Sequence, residues 1–325
     1  MKYIIFGESH GPAIGVALSG VPAGLALDMD FVRGELGRRA PGQNALSTAR
    51  KEADEVHIIS GVFEGRSTGD PICALIANTD TRSKDYSKLK DLPRPGHADY
   101  AGHVKSLGCN DYRGGGHFSG RLTAPLVFAG AVAKLALRPH GVSVSARIAN
   151  IAGVCDPTPE QVEAEVLAAK ADLDSVGGQV ACTVDGFPAG LGGPDFGANV
   201  EGIFARYFFA IPAVKAVEFG AGVGFAGMRG SQANDPFDMD GDRVKTRTNH
   251  AGGVNGGITN GMPVTSTVTF RPTPSIAQKQ QTVDLSTRAD AELEITGRHD
   301  PCIVPRAVVV VEAAAALAAC EVMGL

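Results

Sequence analysis

The 325-residue chain has no tryptophan and only five tyrosines. An aromatic platform for stacking single-stranded nucleic acid is therefore not expected. A long basic run is also missing and the formal net charge is −5, which argues against DNA or RNA as the main partner. The N-terminus lacks the charged, apolar and small-residue regions of a secretory signal. No stretch of ~18 apolar residues is free of charges or turn signals, so no membrane span is expected. The most apolar segment, "AVVVVEAAAALAACEV", carries Glu312 and Glu321 and suits a buried strand or helix. The six cysteines (Cys73, Cys109, Cys155, Cys182, Cys302 and Cys320) are scattered without a CxxC pair. They read as reduced core thiols of a cytosolic protein, with little support for zinc or any other metal. Two nucleotide signatures are missing as well: there is no GxxxxGK[ST], and no GxGxxG placed after a strand with a partner acid downstream.

What is there in quantity is glycine, 42 residues, much of it in short runs. Such runs mark tight turns or places where backbone must approach a ligand. At 44% hydrophobic and 20% charged, the composition is that of a soluble globular enzyme. The length permits one large domain or two ordinary ones. No Gly/Ser or Pro-repeat linker divides the chain, so a single domain over residues 1–325 is expected.

The hydrophobic pattern predicts strands over 3–6 and 15–21, flanking the turn Gly7-Glu8-Ser9-His10-Gly11. A helix opens near Asp28 or Asp30 and closes before Pro41-Gly42. "VHIISGVFEG" and "PICALIAN" read as paired strands around a glycine-rich turn. The following polar stretch, out to Gly116, has weak periodicity and several histidines and arginines, which marks it as functional. Residues 121–137 read as a buried helix, "SVSARIANIAGV" as a strand, and "TPEQVEAEVLAAKAD" as a helix capped by Thr158 with Gln161 completing a capping box. "QVACTVDGFPAGL" and "VTSTVTF" read as strands, and the tail from Arg306 as an apolar strand or helix. "VALSGVPAGL" at 16–25 echoes "VACTVDGFPAGL" at 180–191. Either both use one favoured turn, or the chain is a duplicated β-α-β unit with pseudo-twofold architecture.

Polar clusters fall in five loops. They are Ser9-His10; Arg38-Arg39 with Arg50 beyond; Arg94 to Asp99 around His97; "YRGGGHFSGR", holding Gly114 to Gly116, His117, Ser119 and Arg121; and Arg298-His299-Asp300. Arginines at loop ends bind carboxylates and phosphates bidentately. A glycine run before a helix can aim backbone N–H groups at an anion. Histidines beside an anion can deliver protons near neutral pH. Together they point to a phosphorylated, carboxylated small molecule and proton transfer. Ser9-His10 as a hydrolase pair is weak, because adjacent residues rarely orient a hydroxyl onto the neighbouring ring and no GxSxG elbow exists. Taken singly, Arg38, Arg39 and Arg50 read as solvated helix-end charges, and His57 and His140 as structural.

The series "GESHG", "GVPAGL", "RRAPG", "SGVFEGRSTGDPI", "NTDTRSKDY", "RPGHADY", "YRGGG", "SGR", "GFPAGL", "RGSQ", "NHAGG", "GGITNG", "RPTPSI" and "GRHDPCIVPRAV" resembles the chorismate synthases along residues 6–320. The resemblance implies a β-α-β sandwich of α/β (α+β) class, with helices layered between antiparallel sheets, and a cytoplasmic homotetramer. It implies the 1,4-anti-elimination that converts 5-enolpyruvylshikimate 3-phosphate to chorismate and phosphate, the last step of the shikimate pathway. It also implies a requirement for reduced FMN, and leaves open whether NADPH serves as reductant. By position, His10 matches a proton donor to the leaving phosphate, His97 a histidine by the flavin ring, and Asp300 an acid near flavin N5. Ser9, Arg39, Arg94, Arg121 and Arg298 match substrate contacts. Ser119, Gln232, Ala233, Gly256, Arg271, Thr273, Ser275 and Arg298 match flavin contacts.

The sequence departs from that pattern in two places. The family's "RRRPG" is "RRAPG", so Ala40 replaces an arginine, and Ala45 stands where another is expected, with Arg50 able to compensate. The family's "GGGRSSARET" is "GGGHFSGRLTA", which brings in His117, Phe118, Gly120 and Leu122. These changes motivate two alternatives: a catalytically weakened FMN- or phosphate-binding homologue, or an NAD(P)H-dependent flavin reductase.

Overall fold

The computed structural model describes residues 1–40, 54–79, 89–195, 197–295 and 300–325. Pro41-Gly42, Ala45, Arg50, Arg298, His299 and most of "NTDTRSKDY" lie outside the described residues.

The first half begins with the hairpin β1 (Lys2–Gly7) and β2 (Ala13–Ser19), followed by helix α1 (Met29–Arg39). Asp28 caps α1 by accepting from Phe31 N at 3.0 Å, as its short acceptor side chain at a helix start favours. Strand β3 (Val56–Ser60), the small hairpin β4 (Val62–Phe63) and β5 (Arg66–Ser67), and β6 (Ile72–Ala77) complete a four-stranded antiparallel sheet in the order β1-β2-β6-β3. A long crossover carrying the short helix α2 (Asp99–Lys105) then leads into α3 (Thr123–Leu137).

The second half repeats the plan. It runs β7 (Ser143–Ile151), β8 (Val154–Cys155), α4 (Pro159–Ala171), β9 (Gly178–Asp185), α5 (Val200–Phe209) and β10 (Val214–Phe219). An excursion with α6 (Gly230–Ala233) and the hairpins β11 (Phe237–Asp240) with β12 (Arg243–Thr246) and β13 (Val254–Asn255) with β14 (Ile258–Thr259) precedes β15 (Val264–Phe270). A second crossover holds the hairpin β16 (Gln280–Asp284) and β17 (Ala289–Leu293) and leads into α7 (Val304–Val322). The second sheet has the order β10-β15-β9-β7-β8. Reading β7, β9, α5, β10, β15 and α7 as counterparts of β1, β2, α1, β3, β6 and α3 gives both sheets one strand order. The echoing Pro-Ala-Gly-Leu turns follow β2 and β9, which are counterparts. The topology thus favours duplication over a shared turn preference.

Helix α3 packs on β2 and β6, α7 packs on β7 and β9, and the two helices pack on each other. The layers are therefore sheet, helices, helices, sheet. Every residue of α3 except Lys134 is buried. The helical stretch Arg113–His140 is long and apolar enough to cross a membrane, but 89% of its most apolar window lies inside the molecule. Its apolarity serves the core, because it is covered on both sides. The tail, open between strand and helix in sequence, is helix α7, whose Ala-rich face lets it approach α3 closely. The capping box at Thr158 and Gln161 forms as expected.

One expectation needs correction. Cys182, Cys302 and Cys320 are buried, but Cys109 and Cys155 are exposed and Cys73 is half-buried. Cys109 sits in the turn after α2 and Cys155 on the edge strand β8, positions that no second layer covers. All six are free thiols.

Candidate active site

Three glycines organise the site. Gly114, Gly115 and Gly116 have φ of 58°, 84° and 54°, left-handed values that L side chains rarely adopt. A Cβ at Gly114 would stand 2.2 Å from the His10 ring and 3.0 Å from Ser9 Oγ. At Gly115 it would stand 3.2 Å from the His97 ring, and at Gly116 2.1 Å from the Asp111 carbonyl oxygen. The glycines therefore let the backbone pass between two histidines. The turn that carries Ser9-His10 is fastened to this loop by Ser9 N donating to Gly116 O at 3.1 Å. His117 joins the same contact, its Nδ1 lying 3.0 Å from Gly7 O.

His97 stands against a buried carboxylate. Its Nδ1 is 2.6 Å from Asp99 Oδ1, the hydrogen bond that fixes the ring's orientation, while Nε2 lies 3.3 Å from Arg94 Nη2. Asp99 also accepts from Arg94 Nε at 2.7 Å and Nη2 at 2.9 Å. Burial alone would raise the Asp99 carboxyl, but Arg94 and His97 outweigh it and hold the group far below the ordinary carboxylate range. Arg94 reaches the second crossover through Nη1, which donates to Ser275 Oγ at 3.0 Å. Arg271 reaches back the other way, donating from Nη1 to Gly96 O. The two crossovers, equivalent by the duplication, thus meet at His97. Thr273 lies between these ties, with its carbonyl accepting from Ser175 Oγ at 2.7 Å.

A second group gathers around the end of α1. Arg39 and Arg121 are both buried, at 3% and 4% exposure, so the solvated helix-end reading of Arg39 is wrong. The last turn of α1 points its guanidinium inward, to Thr123 Oγ1, Gly120 O and the Asp54 carboxylate. Arg38 is likewise half engaged, paired with Glu35 and Glu312. Burial first, then the like charge of Arg306, pushes Arg39 down to about 10. Arg121 donates to Asp54, to Asn78 Oδ1 at 3.1 Å and to Ala77 O at 3.3 Å. Asn78 in turn donates to Glu8 O and Gly11 O, both at 2.9 Å, and so ties the Ser9-His10 turn to Arg121. Asp300 accepts from Arg306 Nη1 at 2.5 Å, while Arg306 Nε donates to Arg39 O at 3.0 Å. Asp300 therefore joins the same network from the N-terminal side of α7.

The other expected contacts are distributed differently. Ser119 accepts from Arg121 N at 3.3 Å and so helps open the turn before α3. Phe118 packs against α2, where a Cβ at Gly102 would meet its ring at 2.6 Å. Gln232 and Ala233 sit on the short α6, and Gly256 at the tip of the β13–β14 hairpin. Among the described residues, the hydrogen bonds of this excursion run to one another and to the 188–200 segment, β10 and β15, not to residues 94–121. Sequence reasoning gave Asp54, Asn78, Asp99 and Arg306 no role. Asp99 lay in the Arg94–Asp99 cluster, and Asn78 and Arg306 lay within "NTDTRSKDY" and "GRHDPCIVPRAV". Asp54 had no sequence signal.

These features define a class: a duplicated sandwich whose equivalent crossovers bring histidines, arginines and carboxylates into one candidate site. A family model described as chorismate synthase matches residues 1–323. A chorismate synthase of Thermococcus gammatolerans is 47% identical over 96% of this chain and 93% of its own length. One of Methanocella arvoryzae is 48% identical over 96% of this chain and 89% of its own. A crystal structure of a chorismate synthase superposes with a TM-score of 0.74 at 26% identity, covering 97% of this chain and 89% of that one. The chain belongs to the chorismate synthase family.

Proposed function

We propose that the chain removes phosphate and the C6 proton from 5-enolpyruvylshikimate 3-phosphate by 1,4-anti-elimination to give chorismate, a carbon–oxygen lyase reaction closing the shikimate pathway. In that reaction the C–H electron pair becomes part of the new double-bond system, and the C–O pair departs with phosphate. The observation that carries the reading is the convergence of His10 and His97 on adjacent glycines, with Ser9 beside them. Ser9 Oγ and Thr273 Oγ1 are buried and have no hydrogen-bond partner among the described residues. Buried hydroxyls in that condition need an outside partner, which suits a polar ligand lying between the β1–β2 turn, which holds Ser9, and the second crossover, which holds Thr273.

The residues present fit a flavin as well as a phosphorylated substrate. Thr273, Ser275 and Arg271 would hold FMN next to His97, with Ser119, Gln232, Ala233, Gly256 and Arg298 as the further contacts. When bound, reduced FMN supplies electron density to the breaking C–O bond. The chain's own work is to place and move protons. His10 delivers one to the departing phosphate. His97, oriented by Asp99, faces the flavin side. Asp300, held by Arg306, takes the substrate proton. Arg39, Arg94, Arg121 and Arg298 supply positive charge to an otherwise acidic molecule; Arg94 does so while bracing His97. A cytoplasmic homotetramer is part of this reading, and NADPH as reductant remains a separate question that NADPH oxidation by protein plus FMN answers.

The test is anaerobic incubation with photoreduced FMN and the phosphorylated substrate. Chorismate absorbance and phosphate release are expected in equal amounts; absence of both rejects the proposal. His10→Ala and His97→Ala should each lower turnover by about 10²- to 10⁴-fold, the range for general acid–base groups. Wild-type rates would remove that histidine from the mechanism. Ala40, in place of an arginine, favours one second reading, a weakened FMN-binding homologue. FMN binding by calorimetry without turnover would establish it.

A further inference from the structure

Ser9 and His10 are the central residues of the turn Glu8 to Gly11, which Gly11 N closes by donating to Glu8 O at 3.1 Å. Both are buried, at 1% and 8% exposure. One side chain grips the two ends of that turn. Asn78 Nδ2 donates to Glu8 O and to Gly11 O, both at 2.9 Å. Its backbone N donates to Pro12 O at 3.2 Å, and its Oδ1 accepts from Arg121 Nε at 3.1 Å. Asn78 directly follows β6, whose last residue, Ala77, is paired with Ala13 of β2. The grip therefore starts from sheet backbone. On its other side the turn meets the glycine loop, through Ser9 N to Gly116 O and through His117 Nδ1 beside Gly7 O. The residue type suits the task. Two carbonyl acceptors and one guanidinium donor complement an amide, which carries two N–H donors and one acceptor oxygen. An aspartate of the same shape could donate to neither carbonyl.

We propose that Asn78 is a positioning residue for proton delivery, holding the His10 turn in register with Arg121. The inference rests on the reading of His10 as the proton donor to the leaving phosphate. A proton donor has to stay within hydrogen-bond reach of the oxygen it serves. A misplacement of about 1 Å can cost about 10²-fold in rate. Asn78 limits such a shift because it restrains the carbonyls on both sides of the Ser9-His10 pair. Its oxygen fixes Arg121 from the same side chain, so donor and arginine share one anchor.

The experiment uses the full chain with Asn78→Asp, which keeps the shape and an acceptor for Arg121 but loses both donors. Amide exchange at residues 8–11 should speed up at least about tenfold, and at residues 94–99 less than about threefold, because only the first segment loses its anchor. The loop of residues 94–99, tied through Asp99, is the control for general loosening. With reduced FMN and the phosphorylated substrate, kcat should fall by about 10- to 10²-fold and KM should rise by a smaller factor. Equal acceleration in both segments, or unchanged exchange at residues 8–11, overturns the proposal. So does a loosened turn with wild-type kcat. If Asn78→Asp does not fold, Asn78→Ala removes the donors without adding charge, and the same outcomes judge it. If wild type itself turns over no substrate, the functional reading fails, while the exchange rates still judge whether Asn78 holds the turn.

Discussion

At the scale of single residues, Asp99 has the most to hold. One carboxylate serves the Arg94 guanidinium, the Arg94 backbone N–H at 3.1 Å and the His97 ring. A carboxyl held below its unfolded value contributes stability that is fully present above the unfolded pKa. That contribution is lost as pH falls through it toward the folded value. With an unfolded value of ~3.9, the Asp99 contribution is intact at neutral pH and fades below about pH 4. Asp54 and Glu312 are shifted in the same direction, by Arg39 with Arg121 and by Arg38 with Lys134, against the opposing pull of burial. Asp99→Asn should therefore melt lower than wild type at pH 7, with the gap narrowing toward pH 3. Melting curves across that range check this, and a constant gap would mean that the carboxylate's charge is not what stabilises the loop. The same variant should lower kcat through the loosened His97 ring.

At the scale of elements, the contact between α3 and α7 sets how near the two crossovers come. A Cβ at Gly130 would lie 2.2 Å from Ala313 Cβ and 2.3 Å from its Cα. The helices meet there almost backbone to backbone. Beside that contact, Glu312 on α7 accepts from Lys134 on α3, Arg38 on α1 and Ala146 N on β7. This satisfied ion cluster locks three helices and a strand into one register, as a buried charge with all its partners can. Gly130→Leu must separate the helices. It should destabilise by about 1–3 kcal/mol or more, the usual cost of overpacking, and also weaken FMN binding, since Arg94–Ser275 and Arg271–Gly96 span the crossovers that these helices follow. Denaturation midpoints and FMN calorimetry read the two effects. Full stability would show that the layer yields without strain.

At the scale of the molecule, the parts of the fold readable from sequence were those with a local cause. The capping box at Thr158 and the period-two pattern of Val264–Phe270 depend on neighbours in the chain. The site was readable where a short motif carried it, as at Ser9-His10 and around His97. Asp54 was not, because its role exists only once α1, β6 and the approach to α3 are assembled around it. Nor does any single stretch reveal that Arg94 is a brace between halves. The duplicated topology turns this into a statement about cooperativity. Each half has its own sheet, but α3 and α7 each cover the other, and the ties at Arg94, Arg271 and Arg306 cross between the halves. Neither half retains a covered helix layer once the other unfolds, and the exposed face would be almost wholly apolar, since α3 is buried from Thr123 to Ala133. We therefore expect residues 1–325 to unfold as one domain. Calorimetry should give a single transition whose calorimetric and van't Hoff enthalpies agree for the folding unit. Two separated transitions, or a stable isolated fragment of residues 1–141, would mean that each half is a domain of its own and that the site lies at an interface between them.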